Sequence, residues 1–303
     1  MKLLACPKCH QQLHLENKTL KCENNHCYDI SKRGYINLLL NPDKATNNPG
    51  DSKESLVARK AYLNKGYYDP ILNQVITCID EFKHQDDLSI LDLGCGTGTL
   101  IVQLNNLAKT VIGVDQSESM IKKAQEQYSN IEFRVCDALA LPFESQFDVV
   151  FSNAVFHWIK DHENLLDNIH KVLKPKGLLV CEFGASGNIA TIENAFIKVC
   201  QDLGYEYKPK FNFPTTKHFA DLLKKKGFII DKIYDYDRPT PLKDHEKGLE
   251  NWMRQFFASE LEEMSKDIQS KIIKEVEDLT KDKLWKENEW IADYRRLRVI
   301  AHI

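Results

Sequence analysis

Short apolar runs alternate with segments of helical spacing from residue 88 onwards. Residues 89–93, Ser-Ile-Leu-Asp-Leu, are typical of a buried strand, and the apolar residues at 100, 101, 104 and 107 then follow one face of a helix. The same alternation predicts strands at 110–115, 131–135, 147–152 and 178–183, with helices at 117–127 and 163–173. Repeated strand–helix alternation indicates a parallel sheet with helices on both faces.

The chain beyond the fifth strand predicts the rest of this sheet and a helical insertion. A helix at 218–225 and a strand at 228–234 come first, and the run 296–303 predicts a seventh, antiparallel strand. Residues 243–290 carry apolar and aromatic side chains at helical spacing, which predicts a lid or a packing layer over the carboxyl ends of the strands. We therefore expect an α/β fold, a seven-stranded, doubly wound, Rossmann-like sheet with an insertion before its last strand.

In the opening of the chain, two short runs in which apolar and polar residues alternate surround a polar turn. A Cys-Cys pair lies before them and a Cys-His pair lies after them. Cys6-x2-Cys9 precedes this hairpin and Cys22-x3-His26 follows it, with Cys27 next. Two such pairs separated by a hairpin allow four ligands to converge tetrahedrally on zinc. We predict a zinc ribbon with Cys6, Cys9, Cys22 and His26 as ligands, in which Cys27 could replace His26.

Two other interpretations of these cysteines are open. A redox pair would follow a strand of a βαβ unit, which the opening sequence does not contain. Unpaired thiols without a ligand are the other interpretation, and the regular spacing disfavours it. Because four protein ligands fill a tetrahedral site, the expected zinc is structural and not catalytic.

The segment between the ribbon and the sheet is rich in turn residues. After the linker at 38–52, we expect one helix that contains Ala58, Ala61 and Leu63 and a second helix at 70–82. The resulting division of the chain is a ribbon at 1–36, a linker with helices at 37–85, and a sheet domain at 86–303.

Composition is that of a globular protein, with 43% hydrophobic and 28% charged residues among 303. The net charge of −3 is uneven, because residues 1–70 carry 11 Lys and Arg against 7 Asp and Glu, whereas the other 233 carry 30 against 37. A basic front suggests an anionic partner, although ordinary surface variation would give the same balance. No apolar run is long enough to cross a bilayer, so we expect a cytoplasmic protein that does not insert into membranes.

The motif Leu-Asp-Leu-Gly-Cys-Gly-Thr-Gly at 91–98 lies where the first strand turns into the first helix. Its three glycines allow the backbone to pass close to a ligand. A dinucleotide-binding turn would have its third glycine at position 99, which is Thr99 here. The acidic Asp92 just before the glycines fits an amine-bearing ligand better than a pyrophosphate.

This motif resembles motif I of class I S-adenosylmethionine methyltransferases. The resemblance continues in order at 113–115, 136–138, 152–154 and 172–180. It implies an enzyme with a carboxylate on the cofactor ribose, a group at the adenine amine and a residue facing methionine and substrate. The cofactor-binding residues that it implies are Asp92, Gly94, Cys95, Gly96, Gly98, Asp115, Gln116, Asp137, Ala138 and Asn153.

Two residues just past the fourth strand are candidates for catalysis, Asn153 and His157. Methyl transfer is an in-line displacement, to which the enzyme contributes alignment and exclusion of water. A nitrogen or oxygen acceptor also needs its proton removed, and His157 could act as that base. A histidine within Val-Phe-His-Trp is equally typical of a packed, hydrogen-bonded wall residue.

The first 98 residues resemble the front of bacterial 23S ribosomal RNA guanine-N1 methyltransferases in both residue type and spacing, at 1–27, 28–39 and 49–70. This resemblance implies that the ribbon helps to recognise an RNA hairpin. Tyr28 or Tyr35 would then be available to stack on an unpaired base. The phosphate contacts that it implies are Lys32, Arg33, Lys44, Arg59 and Lys60, each of which could equally be a solvated surface charge.

The back half departs from that family. Residues 151–166 and the aromatic insertion are similar to small-molecule methyltransferases of the trans-aconitate type. We therefore expect a methyltransferase with ribosomal RNA guanine as the favoured acceptor and a small metabolite as the alternative. A zinc-ribbon RNA-binding protein without activity is a third possibility, and a homodimer is compatible with each of them.

Overall fold

In a computed structural model of the chain, the structure describes residues 4–40, 87–242 and 244–303, together with Asn73 and Thr77. The linker from residue 41 and the two helices expected within 52–82 lie outside the described residues, apart from those two positions. The division of the chain into three segments stays a prediction.

The front of the chain forms the small antiparallel sheet that the alternating pattern predicted. Its strands lie side by side in the order β1-β2-β3-β4. A fifth short strand then leaves this ribbon and joins the main sheet. The bounds are β1 Leu4–Ala5, β2 Gln12–Glu16, β3 Thr19–Lys21, β4 Cys27–Asp29 and β5 Ile36–Asn37.

The main sheet has the strand order β11-β13-β10-β9-β6-β7-β8-β5. All pairs are parallel except those that β13 makes with β10 and β11, so the expected antiparallel last strand is confirmed. β12 is a two-residue strand that pairs with the start of β13. The bounds are β6 Ser89–Leu93, β7 Thr110–Asp115, β8 Glu132–Val135, β9 Phe147–Asn153, β10 Leu173–Gly184, β11 Ile229–Pro241, β12 Trp285–Lys286 and β13 Glu289–His302.

Helices cover both faces of this sheet, as the alternating pattern predicted. Side-chain caps begin several of them, and the Ser117 hydroxyl accepts from the Met120 N–H. The bounds are α1 Ile101–Asn105, α2 Glu118–Gln127, α3 His162–Val172, α4 Ala190–Asp202, α5 Thr216–Lys225, α6 Gly248–Phe256, α7 Ala258–Glu262 and α8 Lys266–Leu284. None of the described helices is long and apolar enough to cross a bilayer.

Three apolar clusters hold the described layers together. One lies between the sheet and α3 and α5 and also includes Leu4, Leu13 and Leu20 of the ribbon. A second lies between the opposite face of the sheet and α1 and α2. A third lies among α4 and α6–α8, where the rings of Phe196 and Phe257 stack with centroids 4.3 Å apart. Each fully buried Leu or Phe contributes roughly 1.5–3 kcal/mol.

The helical insertion is shorter than the sequence predicted. Its helices end at Leu284, because β12 and the first half of β13 occupy the stretch that was expected to be helical up to 290. β11 likewise continues to Pro241, and its pairing with β13 extends past the end of β10 at Gly184. The helices pack on this extension and on α4 at the carboxyl edge of the sheet. They therefore form a packed layer with its own core.

Candidate zinc and cofactor sites

The four predicted zinc ligands converge in the ribbon. The Sγ atoms of Cys6, Cys9 and Cys22 and the Nδ1 atom of His26 all lie within 4.8 Å of one another. The separations are 3.4 Å for Cys22–His26, 3.5 Å for Cys6–His26 and 3.6 Å for Cys9–Cys22. Zinc bonds of about 2.1–2.3 Å in a tetrahedron place ligand atoms roughly 3.4–3.8 Å apart, so this set fits zinc.

Cys27 does not take part in this cluster. Its side chain is exposed, and its thiol donates to the carbonyl oxygen of Asn25 at 3.5 Å. His26 therefore completes the set, and the alternative that Cys27 replaces it is not supported. Burial opposes ionisation of Cys6, but the hydroxyl of Tyr28 and nearby backbone groups lower its pKa to about 6, which favours the thiolate that zinc needs.

Hydrogen bonds fix the ribbon to the sheet domain. The Ala5 N–H donates to the Pro142 carbonyl at 3.0 Å, and the Leu38 N–H donates to the Val135 carbonyl at 2.7 Å. Between these points, β5 pairs with β8 in parallel. The sequence pattern missed this edge strand, since two residues are too few to show a period.

Tyr35 is part of the same junction. Its hydroxyl donates to Glu118 Oε1 at 2.9 Å, and its ring is buried against the sheet. The expectation that Tyr35 is available to stack on a base is therefore wrong, because the junction already uses both its ring and its hydroxyl. Tyr28 is partly exposed and bonds to Cys6 Sγ at 3.3 Å.

The glycine turn after β6 has the backbone that its sequence predicted. Gly94, Gly96 and Gly98 all have positive φ angles, of 80°, 55° and 79°. A Cβ at Gly94 would lie 2.2 Å from the Val155 side chain, whereas a Cβ at Gly96 would meet nothing within 4 Å. The turn is therefore packed on one side against the segment after β9 and open at Gly96. Cys95 between them is partly buried, and loss of hydration is the chief reason that its pKa lies well above the ordinary value.

Asp115 at the end of β7 organises this turn. Its Oδ2 accepts from the Gly96 N–H at 3.0 Å, and its Oδ1 accepts from the Ser117 N–H at 2.8 Å. The carboxylate thus joins the glycine turn to the start of α2, with the exposed Gln116 between them. This is the position, next to the open Gly96, where the resemblance expects a sugar hydroxyl to bind.

Asp92 lies on the same face of the sheet and is almost fully buried. Its Oδ2 has no hydrogen-bond partner. Burial and the neighbouring Asp115 raise the pKa of Asp92 to about 8. An orphaned buried carboxylate oxygen beside an open glycine turn fits a ligand that carries an ammonium group, such as the methionine end of S-adenosylmethionine.

The loop after β8 contains Asp137 and Ala138, which the resemblance places at the cofactor adenine. Asp137 Oδ1 accepts from the Leu139 N–H at 2.9 Å, which stiffens the turn around Ala138. Asn168 of α3 holds the next residues, because it donates to the Leu139 carbonyl and accepts from the Leu141 N–H. The loop is therefore held by α3, which covers the face of the sheet opposite to α1 and α2.

The two catalytic candidates lie at the ends of β9 and of the turn that follows. Asn153 has a buried Nδ2 with no partner. His157 is buried, its Nδ1 accepts from the Gly184 N–H at 3.3 Å, and its ring packs against Trp158, Phe211 and Phe213. The structure therefore brings Asn153 to the cofactor edge, and it places His157 in an aromatic wall.

Two carboxylates of the described region were not among the residues that the sequence motifs identified, Glu118 at the ribbon junction and Glu182 on β10. Glu182 interrupts the apolar run Leu-Leu-Val-Cys-Glu-Phe, and an acid inside a buried strand is a signal that could have identified it. Nothing in the local pattern around Glu118 distinguishes it from a helix-capping acid.

This sheet order, with a glycine turn after the central strand and a carboxylate ending its neighbour, defines a class I S-adenosylmethionine-dependent methyltransferase. Comparisons with known proteins agree. The methyltransferase domain model matches residues 91–181, and the RlmA N-terminal zinc ribbon model matches residues 4–45.

The chain is 32% identical over 267 residues to the uncharacterized methyltransferase C70.08c of Schizosaccharomyces pombe, which covers 82% of this chain and 98% of that protein. The chain therefore belongs to this methyltransferase family. It is also 26% identical to the 23S rRNA (guanine(748)-N(1))-methyltransferase of Streptomyces fradiae, over 64% of this chain and 68% of that protein. The crystal structure of the YcgJ protein of Bacillus subtilis shares the fold, with a TM-score of 0.52 at 14% identity, over 75% of this chain and 96% of that one.

Proposed function

We propose that this enzyme methylates N1 of a guanine in large-subunit ribosomal RNA, in the cytoplasm. The observation that carries the proposal is the packing of the zinc ribbon against the catalytic sheet. Ribbon and sheet share one apolar cluster, and β5 continues the sheet beside β8. An RNA held by the ribbon would therefore be held at a fixed position relative to the cofactor edge.

The basic residues of the ribbon support an RNA partner. Lys32 and Arg33 lie exposed on the loop between β4 and β5, next to the junction with the sheet. Arg33 Nε lies 2.6 Å from Glu126 of α2, an exposed pair that contributes little to stability and could exchange for a phosphate. Three further residues proposed as phosphate contacts, Lys44, Arg59 and Lys60, lie outside the described residues.

The residues at the cofactor edge have separate roles in this proposal. Asp92 would face the ammonium of the cofactor, Asp115 the ribose hydroxyls, and Asp137 with Ala138 the adenine. The bound cofactor supplies a methyl group on a cationic sulfur. The open Gly96 turn and Asn153 at the end of β9 would align the acceptor with that methyl group and exclude water. The hydrogen bond from Gly184 and the surrounding rings favour the wall role of His157 over a role as base.

The proposal is tested by transfer of a tritiated methyl group to unmodified 23S ribosomal RNA, with the modified nucleoside identified by mass spectrometry. We expect N1-methylguanosine. The variant Lys32→Ala/Arg33→Ala should bind the RNA more weakly, and the slope of log K against log salt should become shallower by about 0.7–0.9 for each lost phosphate contact.

A matched control removes the same charge elsewhere. Lys224→Ala/Lys274→Ala changes two exposed lysines on α5 and α8 and should leave both RNA affinity and its salt slope unchanged. Transfer to small carboxylic acids but not to RNA would favour the metabolite alternative and reject the proposal. If calorimetry detects no cofactor binding, the inactive RNA-binding alternative gains support. A homodimer stays a prediction.

A further inference from the structure

A row of polar side chains crosses the carboxyl edge of the sheet beside the cofactor site. Asn153 of β9 lies opposite Glu182 of β10, Glu182 lies opposite Arg298 of β13, and Arg298 lies opposite Tyr234 of β11. Residues that lie opposite each other on neighbouring strands project to the same face. Side chains alternate between the two faces along a strand, so residues two positions apart share a face. Ile90 and Phe151 lie two positions before Asp92 and Asn153, and both belong to the apolar cluster beneath α1 and α2. Asp92 therefore projects to the same face as Asn153.

One half of the Glu182 carboxylate is held firmly. Its Oε2 accepts from the Tyr236 hydroxyl at 2.8 Å and from Arg298 Nε at 2.8 Å, and the second guanidinium nitrogen of Arg298 also contacts it. Glu182 is 2% exposed. Charge-assisted hydrogen bonds of this kind are short and directional, so they fix the orientation of the carboxylate.

The other half has no hydrogen bond. Glu182 Oε1 is buried and has no hydrogen-bond partner, although the Arg238 guanidinium lies 3.7 Å away as an ion pair. The buried Nδ2 of Asn153, on the neighbouring strand, also has none. Adjacent strands lie about 5 Å apart, so the residues that carry this unused donor and this unused acceptor are neighbours on one face of the sheet. Buried groups without partners are rare in native proteins, and a bound ligand that completes the bonds is one explanation for them.

The chemistry of this pair defines what can bind. Asn153 Nδ2 needs an acceptor, and Glu182 Oε1 needs an N–H beside it. A planar ring that presents a carbonyl oxygen next to an N–H meets both needs, and guanine does so with O6 and N1–H. The partly exposed Asn153 marks the entry to the pair.

We infer that Glu182 is the catalytic base for the acceptor and that Asn153 orients it, an inference that rests on the proposed function. Asn153 Nδ2 donates to O6, and the N1 proton passes to Glu182 Oε1. The N1 electron pair forms a bond to the methyl carbon of the sulfonium donor, and the carbon–sulfur bond breaks with its electron pair going to sulfur. Arg298 and Tyr236 position the carboxylate through Oε2.

The test is Glu182→Gln in the full-length, zinc-loaded enzyme, assayed with unmodified 23S ribosomal RNA. The amide keeps the shape of the side chain and an oxygen for Arg298 and Tyr236, but it cannot take up the proton. We expect kcat to fall by about 10²- to 10⁴-fold and then to rise about tenfold per pH unit, because hydroxide must remove the N1 proton. Affinity for S-adenosylmethionine should not change.

Two further variants separate catalysis from folding. Asp167→Asn removes an exposed carboxylate that pairs with Lys226, and it should leave kcat and its pH profile unchanged. If Glu182→Gln does not fold, Tyr236→Phe replaces it in the test. Loss of that hydroxyl removes one of the donors that orient the carboxylate, so kcat should fall while the KM for RNA and the melting temperature stay unchanged; an unchanged kcat would overturn the inference.

The outcomes distinguish the two proposals. If the wild-type enzyme methylates no RNA, the proposed function fails and this inference fails with it. A second result is that the wild-type enzyme forms N1-methylguanosine and Glu182→Gln has the same kcat, or a kcat that is lower by the same factor at every pH. Glu182 is then not the base, and the proposed function stands.

Discussion

At the scale of single residues, Asp92 shows how a buried carboxyl group opposes folding. Its folded pKa of about 8 lies above the ordinary value of 3.8, so the folded chain binds a proton that the unfolded chain has released between these pH values. The stability of the ligand-free protein should therefore fall as pH rises from about 4 to about 8. The same unpartnered carboxylate is available to a cationic ligand, which would offset this cost.

Replacing Asp92 by Asn tests this balance. The variant should lose the decrease in stability between pH 4 and 8, because an amide does not titrate, and it should bind S-adenosylmethionine about 10- to 100-fold more weakly. Denaturant unfolding across this pH range and titration calorimetry measure the two effects.

Asp148, at the start of β9, provides a control, because its effect on the pH dependence of stability has the opposite sign to that of Asp92. Burial opposes its ionisation, but Lys174 and Ser89 hold its pKa below the ordinary value, so its contribution to stability is present above pH 4 and lost as pH falls. Asp148→Asn should therefore destabilise the protein at neutral pH. If the free energy of unfolding changes with pH in the same way in the wild type and in Asp92→Asn, the decrease in stability between pH 4 and 8 does not come from Asp92.

At the scale of elements, the ribbon is too small to be stable without its metal. Its strands are two to five residues long, and three leucines are its main contribution to the apolar cluster shared with the sheet. Zinc ligation supplies on the order of 10 kcal/mol in such modules. The metal therefore also determines whether β1 and β5 can dock on the sheet.

Two cysteine variants distinguish a zinc ligand from a nearby cysteine that does not bind the metal. Cys22→Ala should abolish the bound zinc and lower the melting temperature of the whole protein, because the docked leucines lose their support. Cys27→Ala should keep one zinc per chain and the wild-type melting temperature, since its thiol lies outside the cluster. Elemental analysis and calorimetry measure both, and zinc loss in Cys27→Ala would exclude the Cys3His set.

At the scale of the whole molecule, ribbon and sheet domain are expected to unfold together. They share one apolar cluster, a parallel strand pair and the hydrogen bonds of Ala5 and Leu38. Elements that share a core usually unfold in one cooperative transition. The ribbon is in this sense an extension of the sheet.

The four tryptophans make this cooperativity measurable. Trp158, Trp252, Trp285 and Trp290 all lie beyond the ribbon, so their fluorescence reports the sheet domain, whereas zinc release reports the ribbon. In guanidinium titrations we expect the two signals to change at the same midpoint. Release of zinc at a clearly lower concentration, with tryptophan fluorescence unchanged, would show that the ribbon unfolds independently.

The sequence by itself determined the features that depend on local pattern. Strand and helix periods predicted seven of the nine strands of the main sheet, the glycines at 94, 96 and 98 predicted the turn after β6, and paired spacing predicted the four residues that converge in the ribbon. In each case the residues that act together are close in sequence or repeat at a fixed period, so a single chain shows them without its partners.

Only the tertiary structure decided the features that depend on contacts between distant segments. The burial of Tyr35 against Glu118, the pairing of β5 with β8, and the extension of β11 and β13 all rest on hydrogen bonds across many residues. The same holds for Asn153 and Glu182, which are 29 positions apart in the printed sequence and become neighbours through strand register. Local periodicity carries no information about register between strands, and that register decides which unused donor meets which unused acceptor.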